Sequence, residues 1–181
     1  CRLWLQAAAK AESAADAWPD RLRHLYAADE YGAREPLLRH ANLLLSHSQL
    51  RELVSVYEEE LNASLPASDA SREAASGGYR AHAALTLLSA ALQDPDVHVS
   101  ATLRRSPKPN SLQKQEFVLL YLHADRAADA LPWLEDPDDW HEASRLRLLA
   151  EVLKRLGRTE QSASIQQQVF EQTLRNGVFV A

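Results

Sequence analysis

The residues able to do acid–base or metal chemistry are scattered along this chain. Seven histidines are present, but none belongs to the two-histidine, glutamate-containing helical motif of zinc proteases. His40 and His47 are seven residues apart and would share a helix face only if no new helix began at Ser46. We therefore expect no metal site.

His141 and Glu142, next to Asp138 and Asp139, form the one group that suggests general acid–base catalysis. A second interpretation places these acidic residues in a first helical turn, where they stabilise the positive end of the helix dipole. The second interpretation needs no further partner and is favoured.

Nucleophilic and phosphate chemistry have little support. Cys1 has no evident activating partner, and no glycine-rich phosphate-binding loop exists in the sequence. The sequence thus predicts no catalytic, cofactor-binding or metal-binding residue, and no enzyme within these residues.

Binding chemistry has better candidates. Arg104 and Arg105, with Lys108 and Lys114, form a basic cluster that flanks a proline-containing connection. This cluster is either a contact for an acidic partner or RNA, or a solvated connector, and the connector is favoured.

Two tryptophans form the second candidate. Trp133 and Trp140 bracket an acidic turn, and large aromatic residues near turns often anchor binding partners. Tryptophan in a helical array also commonly belongs to the core. We predict Trp133, Trp140, Arg104 and Arg105 as candidate partner-binding residues.

Composition limits the class of partner. The chain has 181 residues, a net charge of −5 and a pI near 5.8, so it repels a phosphate backbone on average. We expect a protein or peptide partner, no nucleic acid and no membrane; the oligomeric state stays open.

The predicted location of the protein rests on features that the sequence lacks. A single cysteine cannot form an internal disulfide, and the sequence contains neither a long apolar run nor a positively charged leader. We predict a cytoplasmic protein. Because the sequence has no methionine and starts within a helical pattern, we expect it to be a fragment of a longer chain.

Helical patterns run through the whole chain. Alanine and leucine are abundant, β-branched residues are sparse and only five glycines occur, so the fold class is predicted to be all-α. Capping boxes mark helix starts at Ser46 with Gln49 and at Asn110 with Gln113. About ten helices with short connections follow from the apolar spacing.

Several boundaries can be predicted from proline, glycine and capping residues. Asp94 and Asp136, each before a proline, are expected to cap helices, as is Asp125. Gly157 should end a helix in a left-handed turn. Pro132 predicts a kink or an early helix end.

Five segments carry predictions that a structure can test. In the first helix, Trp4 and three alanines at helical spacing predict a packed face. In the third helix the predicted face runs over Leu37–Leu45, and in the last it runs from Ala163 to Leu174. Around Gly77 and Gly78 a long helix either begins after them or uses them for a close helix crossing. Val97–Val99 alternates in a way that also fits a strand.

Two helical hairpins can be aligned. Both the segment from Phe117 and the segment from Leu149 contain an apolar helix, a tight turn ending in arginine, and a helix with small residues. This pattern is similar to the tetratricopeptide repeat, a helix–turn–helix unit of about 34 residues. It predicts one domain over 1–181, a right-handed α-solenoid of antiparallel hairpins.

Over nearly its whole length the chain also resembles a group of uncharacterised bacterial proteins with a helical, tetratricopeptide-like domain of unknown function. The segments that carry the resemblance are Tyr31-Gly32 with the helix 35–45, the helix 81–92, Ala128–Leu134, Arg145–Leu153 and Val169–Leu174. The resemblance implies an α-solenoid and provides no reaction and no catalytic residues.

These observations lead to one functional hypothesis with one alternative. The leading hypothesis is a non-catalytic interaction module whose groove accepts a peptide or protein partner. The alternative is a regulatory or scaffolding part of a larger enzyme whose active site lies outside this fragment.

Overall fold

The computed structural model describes residues 1–10, 17–29, 31–65, 72–137 and 140–175, except the side chains of 72–76 and 175, and these residues are all-α without a strand. The helices are α1 Arg2–Lys10, α2 Trp18–Ala27, α3 Glu35–Arg39, α4 His47–Ser64, α5 Arg72–Leu92, α6 Pro95–Arg105, α7 Ser111–His123, α8 Ala127–Ala130, α9 Pro132–Glu135, α10 Glu142–Arg155 and α11 Thr159–Arg175. None of these helices is both long and apolar enough to cross a membrane.

The chain divides into two compact units, Cys1–Pro107 and Lys108–Ala181. The first unit is built on α4 and α5, which pack along each other, with α6 and α3 also against α5. Its core is a single cluster of leucine, valine, alanine and tyrosine side chains from α1 to α6. In the second unit the main contact is between α10 and α11, while α7 packs against α8 and α9.

Both predicted capping boxes are confirmed. The Ser46 hydroxyl accepts a hydrogen bond from the Gln49 backbone N–H, and the Gln49 side chain accepts one from the Ser46 N–H. Asn110 and Gln113 make the same reciprocal pair at the start of α7. Local sequence alone sets these starts because both partners lie within four residues.

Gly78 allows α5 to pass close to the end of α4. Both Gly77 and Gly78 lie inside α5, so the helix does not begin after them. A Cβ on Gly78 would overlap the Ser64 side chain, coming within 2.9 Å of its Cβ, whereas a Cβ on Gly77 would meet nothing within 4 Å. The close-crossing interpretation is therefore confirmed at Gly78.

Three helices end in the same left-handed turn. Gln93, Asp125 and Gly157 have φ values of 54°, 57° and 74° and lie 32 residues apart. After each of them, a backbone N–H bonds the carbonyl five residues back, at 2.8 to 3.0 Å: Asp94 to Ser89, Arg126 to Tyr121, and Arg158 to Leu153. This is the Schellman arrangement, which satisfies the last carbonyls of a helix.

Around these turns the paired helices meet at equivalent positions. His98 Nδ1 lies 2.9 Å from Thr86 Oγ1, and the Ser162 hydroxyl donates to the Ala150 carbonyl at 2.7 Å; each pair is 12 residues apart in sequence. The residues at the same places in the middle hairpin, Val118 and Ala130, are both fully buried.

Two predicted helix starts are wrong. Asp125 does not cap α8, because it occupies the left-handed turn that ends α7. Asp136 does not begin a helix at Pro137, since α10 starts at Glu142 and the Asp136 carboxylate instead accepts a hydrogen bond from Lys114 Nζ at 3.2 Å.

Other boundary predictions gave mixed results. The third helix is shorter than predicted: α3 ends at Arg39, and a 3-10 turn, Ala41–Leu43, redirects the chain toward the extended Ser46. Val97–Val99 is helical, because Asp94 caps α6 as predicted. The expected interruption at Pro132 is confirmed, since α8 and α9 are separate at Leu131.

The predicted face of the last helix is wrong, and that of the first helix is tested only at Trp4 and at the half-buried Ala8. In α1 the buried residue is Leu5, whereas Trp4 is 46% exposed and packs edge-on against Trp18; two predicted face residues, Ala11 and Ala15, lie outside the described part. In α11 the predicted stripe faces outward apart from the half-buried Val169. The side packed on α10 instead contains Ser162, because the small Ser162 and Ala150 allow close approach there.

Candidate functional site

The basic candidates Arg104 and Arg105 each have a partner in the first unit. Arg104 Nη2 donates to Glu58 Oε1 on α4 at 3.0 Å, and its other terminal nitrogen is buried without a hydrogen bond among the described residues. The Arg105 guanidinium lies 3.9 Å from the centre of the Tyr79 ring. Lys114, with a 13% exposed side chain, pairs with Asp136 in the second unit. These contacts favour a structural role for all three cations.

The tryptophan candidates are half-buried in the second unit. The Trp133 ring contacts the fully buried Phe117 edge-on, with 4.9 Å between ring centres. The Trp140 indole N–H is buried and has no hydrogen-bond acceptor among the described residues. The ring contact of Trp133 is thus with the core, as in the second interpretation of this pair.

Glu142 is held by a neighbouring arginine in a way that opposes acid catalysis. Arg145 donates to both Glu142 carboxylate oxygens at 3.0 Å and to the Leu134 carbonyl at 2.9 Å. These hydrogen bonds lower the pKa of Glu142, so the carboxylate stays ionised. Asp138 and Asp139 lie outside the described residues. Within the part of the chain that can be described, no three histidine, cysteine, aspartate or glutamate side chains are grouped to bind a metal ion.

One surface that the sequence did not predict as a site stands out on α11. Phe170 is 63% exposed and Leu174 is 45% exposed, one helical turn apart. Ala163, Gln166 and Gln167 are exposed on the same side. We call Ala163, Gln166, Gln167, Phe170 and Leu174 the α11 face.

A groove runs beside this face, between α10 and α11. Its volume is about 170 Å³, and it is lined by Arg147, Ala150, Glu151, Gln166 and Val169. Glu151 accepts a hydrogen bond from Arg155 at 3.0 Å. The exposed Arg147 has no ion pair among the described residues. The groove and the α11 face together offer apolar area, amides and one available cation.

A second cleft, of about 270 Å³, lies between α4 and α6 in the first unit. Its floor contains Val54 and Val97, and its charged rim includes the Arg51–Asp94 ion pair at 2.6 Å. Glu58, also on the rim, forms an ion pair with Arg104. The rim charges thus stabilise the helix pair.

The α11 face was missed because its residues were predicted to be core. Helical spacing identifies an apolar stripe but does not say whether a neighbour covers it. Gln166, the one polar residue in the predicted stripe, was the available signal.

Comparison with known proteins adds no relative. No protein-family model, no curated protein and no solved structure matches the chain. The resemblance to tetratricopeptide-like bacterial proteins stays a prediction.

Proposed function

We propose that this chain is a non-catalytic protein–protein interaction module, in which the α11 face and its groove bind a peptide or protein partner. The observation that carries the proposal is the exposure of Phe170 and Leu174 on a helix whose other side packs on α10. Burying one such side chain stabilises a complex by about 1.5–3 kcal/mol.

The proposal includes the architecture of an α-solenoid with tetratricopeptide-like hairpins. Its support is the recurrence of one helix-ending turn at Gln93, Asp125 and Gly157. Around the first and the last of these turns, the two residues that meet where the helices cross are 12 apart in sequence. The 32-residue spacing is near the 34 residues of that repeat. Repeats of this kind commonly bind partners along exposed helix faces.

Peptide selection tests the proposed function. A displayed library of random peptides is selected against the full 181-residue chain, and the winners are measured against Phe170→Asp and Leu174→Asp. We expect binding to fall by about tenfold or more, because a carboxylate replaces an apolar contact.

Leu112→Asp is the matched control, since Leu112 is a 76% exposed leucine on α7 of the same unit. Its binding should equal that of the unchanged chain. Peptides that bind all three variants equally, or the failure of selection to enrich any peptide, would contradict the proposal.

A further inference from the structure

A chain of hydrogen bonds joins α5 and α6 where they cross in the first unit. It contains His82 and Thr86 from α5, and His98 and Thr102 from α6. His98 is 3% exposed and Thr102 is 5% exposed. All seven histidines lie within the described residues, and His98 is the only one of them that is buried. A titratable ring therefore forms part of the core contact between these two helices.

The hydrogen bonds of Thr86 fix the position of a proton on His98. The Thr86 hydroxyl donates its only proton to the His82 carbonyl, at 3.1 Å. Its oxygen must then accept from His98 Nδ1, which is 2.9 Å away, so this nitrogen carries a proton. In a neutral imidazole the other nitrogen, Nε2, is consequently a hydrogen-bond acceptor.

Thr102 completes the chain between the two rings. Its Oγ1 lies 3.0 Å from His82 Nε2 and 3.5 Å from His98 Nε2. Because Nε2 of a neutral His98 can only accept, the Thr102 hydroxyl donates to it and accepts from the His82 Nε2–H. Each donor along the chain, from His82 Nε2 to the His82 carbonyl, then has one acceptor.

A second proton on His98 would break this chain. Nε2 would become a donor, so Thr102 Oγ1 would face two N–H groups and the buried Thr102 hydroxyl would lose its acceptor. Burial disfavours the charged ring as well. The centre of the His82 ring is 5.9 Å from that of His98, so a proton on His82 also opposes a charge on His98. The closed crossing therefore favours neutral His98.

The charged side chains on the helices around His98 have their own contacts. His82 is the titratable group that α5 places against His98. The others on α6 and on the facing α4 are in ion pairs, on an aromatic ring or in an exposed first turn: Arg104 with Glu58, Arg51 with Asp94, Arg105 over Tyr79, and Asp96.

From this hydrogen-bond chain we infer that the α5–α6 crossing is a pH-sensitive joint, which holds while His98 is neutral and loosens when His98 is protonated. An opened crossing exposes His98, which then takes up a proton near its ordinary pKa of about 6.5. The open state thus binds more protons than the closed state below that pH, so the stability of the crossing falls as the solution becomes more acidic.

The corresponding crossings in the other two hairpins contain no titratable side chain at these positions. Val118 and Ala130 occupy them in the middle hairpin, and Ala150 and Ser162 in the last. Between about pH 7 and pH 5 the acid response should therefore be confined to the first unit.

Nitrogen-15 NMR of the histidine rings in the full chain tests the state of His98 directly. We expect His98 to carry its proton on Nδ1, and to stay neutral at the pH where the exposed His24 is half protonated. A proton on Nε2 alone, or protonation of His98 in the folded chain together with His24, would overturn the inference.

Hydrogen exchange tests the effect on the helices. Below about pH 6.5 the protection factors of the α5 and α6 amides should fall about tenfold for each pH unit, because opening is coupled to the uptake of one proton. Those of α10 and α11 should stay constant. Protection that is constant in α5 and α6, or that falls equally in both units, contradicts a joint at this crossing.

His98→Gln separates this joint from other acid effects, since glutamine keeps a donor and an acceptor but does not titrate. The variant can be less stable at every pH, but the protection of α5 and α6 should no longer depend on pH in this range. His24→Gln, the matched control at an exposed histidine of the same unit, should respond as the unchanged chain does. The lowered pKa of Asp29 places its titration below about pH 4, outside this range.

A response that persists in His98→Gln would assign the acid effect to another group and overturn the inference. If circular dichroism shows that His98→Gln does not fold, the ring NMR of the unchanged chain still decides between the two states of His98.

Discussion

Two polar side chains of the first unit, Asp29 and Tyr57, differ in how many hydrogen bonds they form. The Asp29 carboxylate accepts three backbone N–H bonds, from Tyr31, Ala33 and Arg34. The Tyr57 hydroxyl, in a side chain that is 2% exposed, has no hydrogen bond among the described residues. Burial also raises the pKa of Tyr57, which keeps the hydroxyl protonated. The two residues therefore respond to mutation in opposite ways.

Replacing Tyr57 with phenylalanine should leave the free energy of unfolding unchanged or raise it by up to about 1 kcal/mol. The reason is that the substitution removes a buried hydroxyl that forms no bond and keeps the ring packed on Tyr26. Urea denaturation measures the difference. Tyr26→Phe is the control, since the Tyr26 hydroxyl donates to the Arg80 carbonyl at 3.5 Å and its loss should not stabilise. If Tyr57→Phe lowered the free energy of unfolding by more than about 1 kcal/mol, the Tyr57 hydroxyl would have a hydrogen-bond partner.

Asp29 should make stability depend on pH in the acid range. Its pKa is lowered mainly by the Arg34 N–H bond, so ionised Asp29 stabilises the fold above about pH 4, and the contribution disappears as pH falls through the lowered pKa. Asp29→Asn should therefore be less stable than the unchanged chain at neutral pH, and the two proteins should have equal stability at low pH. Thermal unfolding of both proteins across this range checks the prediction. A difference that does not change with pH would contradict it.

Helix ends and crossings decide how the elements of each unit fit together. Capping boxes at Ser46 and Asn110 set two starts, and left-handed residues set three ends. Gly78 gives α5 its close approach to Ser64 at the end of α4. Substitutions at these positions test the elements directly.

Gly77→Ala and Gly78→Ala form a matched pair in one helix. Gly77→Ala should raise the free energy of unfolding by about 0.5–1 kcal/mol, because alanine favours a helix and its Cβ meets nothing. Gly78→Ala should lower it by about 1–3 kcal/mol, since the new Cβ overlaps the Ser64 side chain. Chemical denaturation measures both. Equal effects of the two changes would mean that α4 and α5 do not approach closely there.

The left-handed turns provide a second test at this scale. Asp125→Gly should stabilise by about 0.5–1 kcal/mol, because glycine adopts positive φ without steric cost. Gly157→Ala should destabilise by about 1 kcal/mol for the same reason. Melting temperatures that moved in the other direction would show that these residues do not hold left-handed turns.

Sequence patterns predicted those elements whose signals are local. Ser46 with Gln49, Asp94 before Pro95, and Gly157 each act on neighbours within a few residues, and the structure confirms them. Asp125 and Asp136 misled the prediction, because a left-handed turn and a contact with Lys114 replaced the expected caps. The α11 face could not be predicted, since the exposure of Phe170 depends on which helices pack against α11.

At the scale of the whole molecule, charge and the division into units are the features that matter. The net charge is −5 and the pI is near 5.8. The sequence predicted a single domain over 1–181, and the contacts group it into Cys1–Pro107 and Lys108–Ala181.

Solubility should be lowest near pH 5.8, where the net charge vanishes and repulsion between molecules is weakest. Turbidity across a pH series measures the solubility. Concentrated salt should reduce the difference in solubility between neutral pH and the pH of lowest solubility. A minimum far from that pH would imply that several ionisable groups titrate away from their ordinary values.

The even spacing of the three helix-ending turns also bears on how such a chain can change in length. A tandem duplication of residues 126–157 would join Gly157 to a second Arg126, the same kind of junction that Asp125 makes now. The inserted copy would bring its own turn, an Ala130 to meet Ala150 of the copy before it, and an Ala150 to meet Ser162. Lengthening by whole multiples of 32 residues thus preserves the backbone chemistry at every joint, whereas an insertion of another size would not.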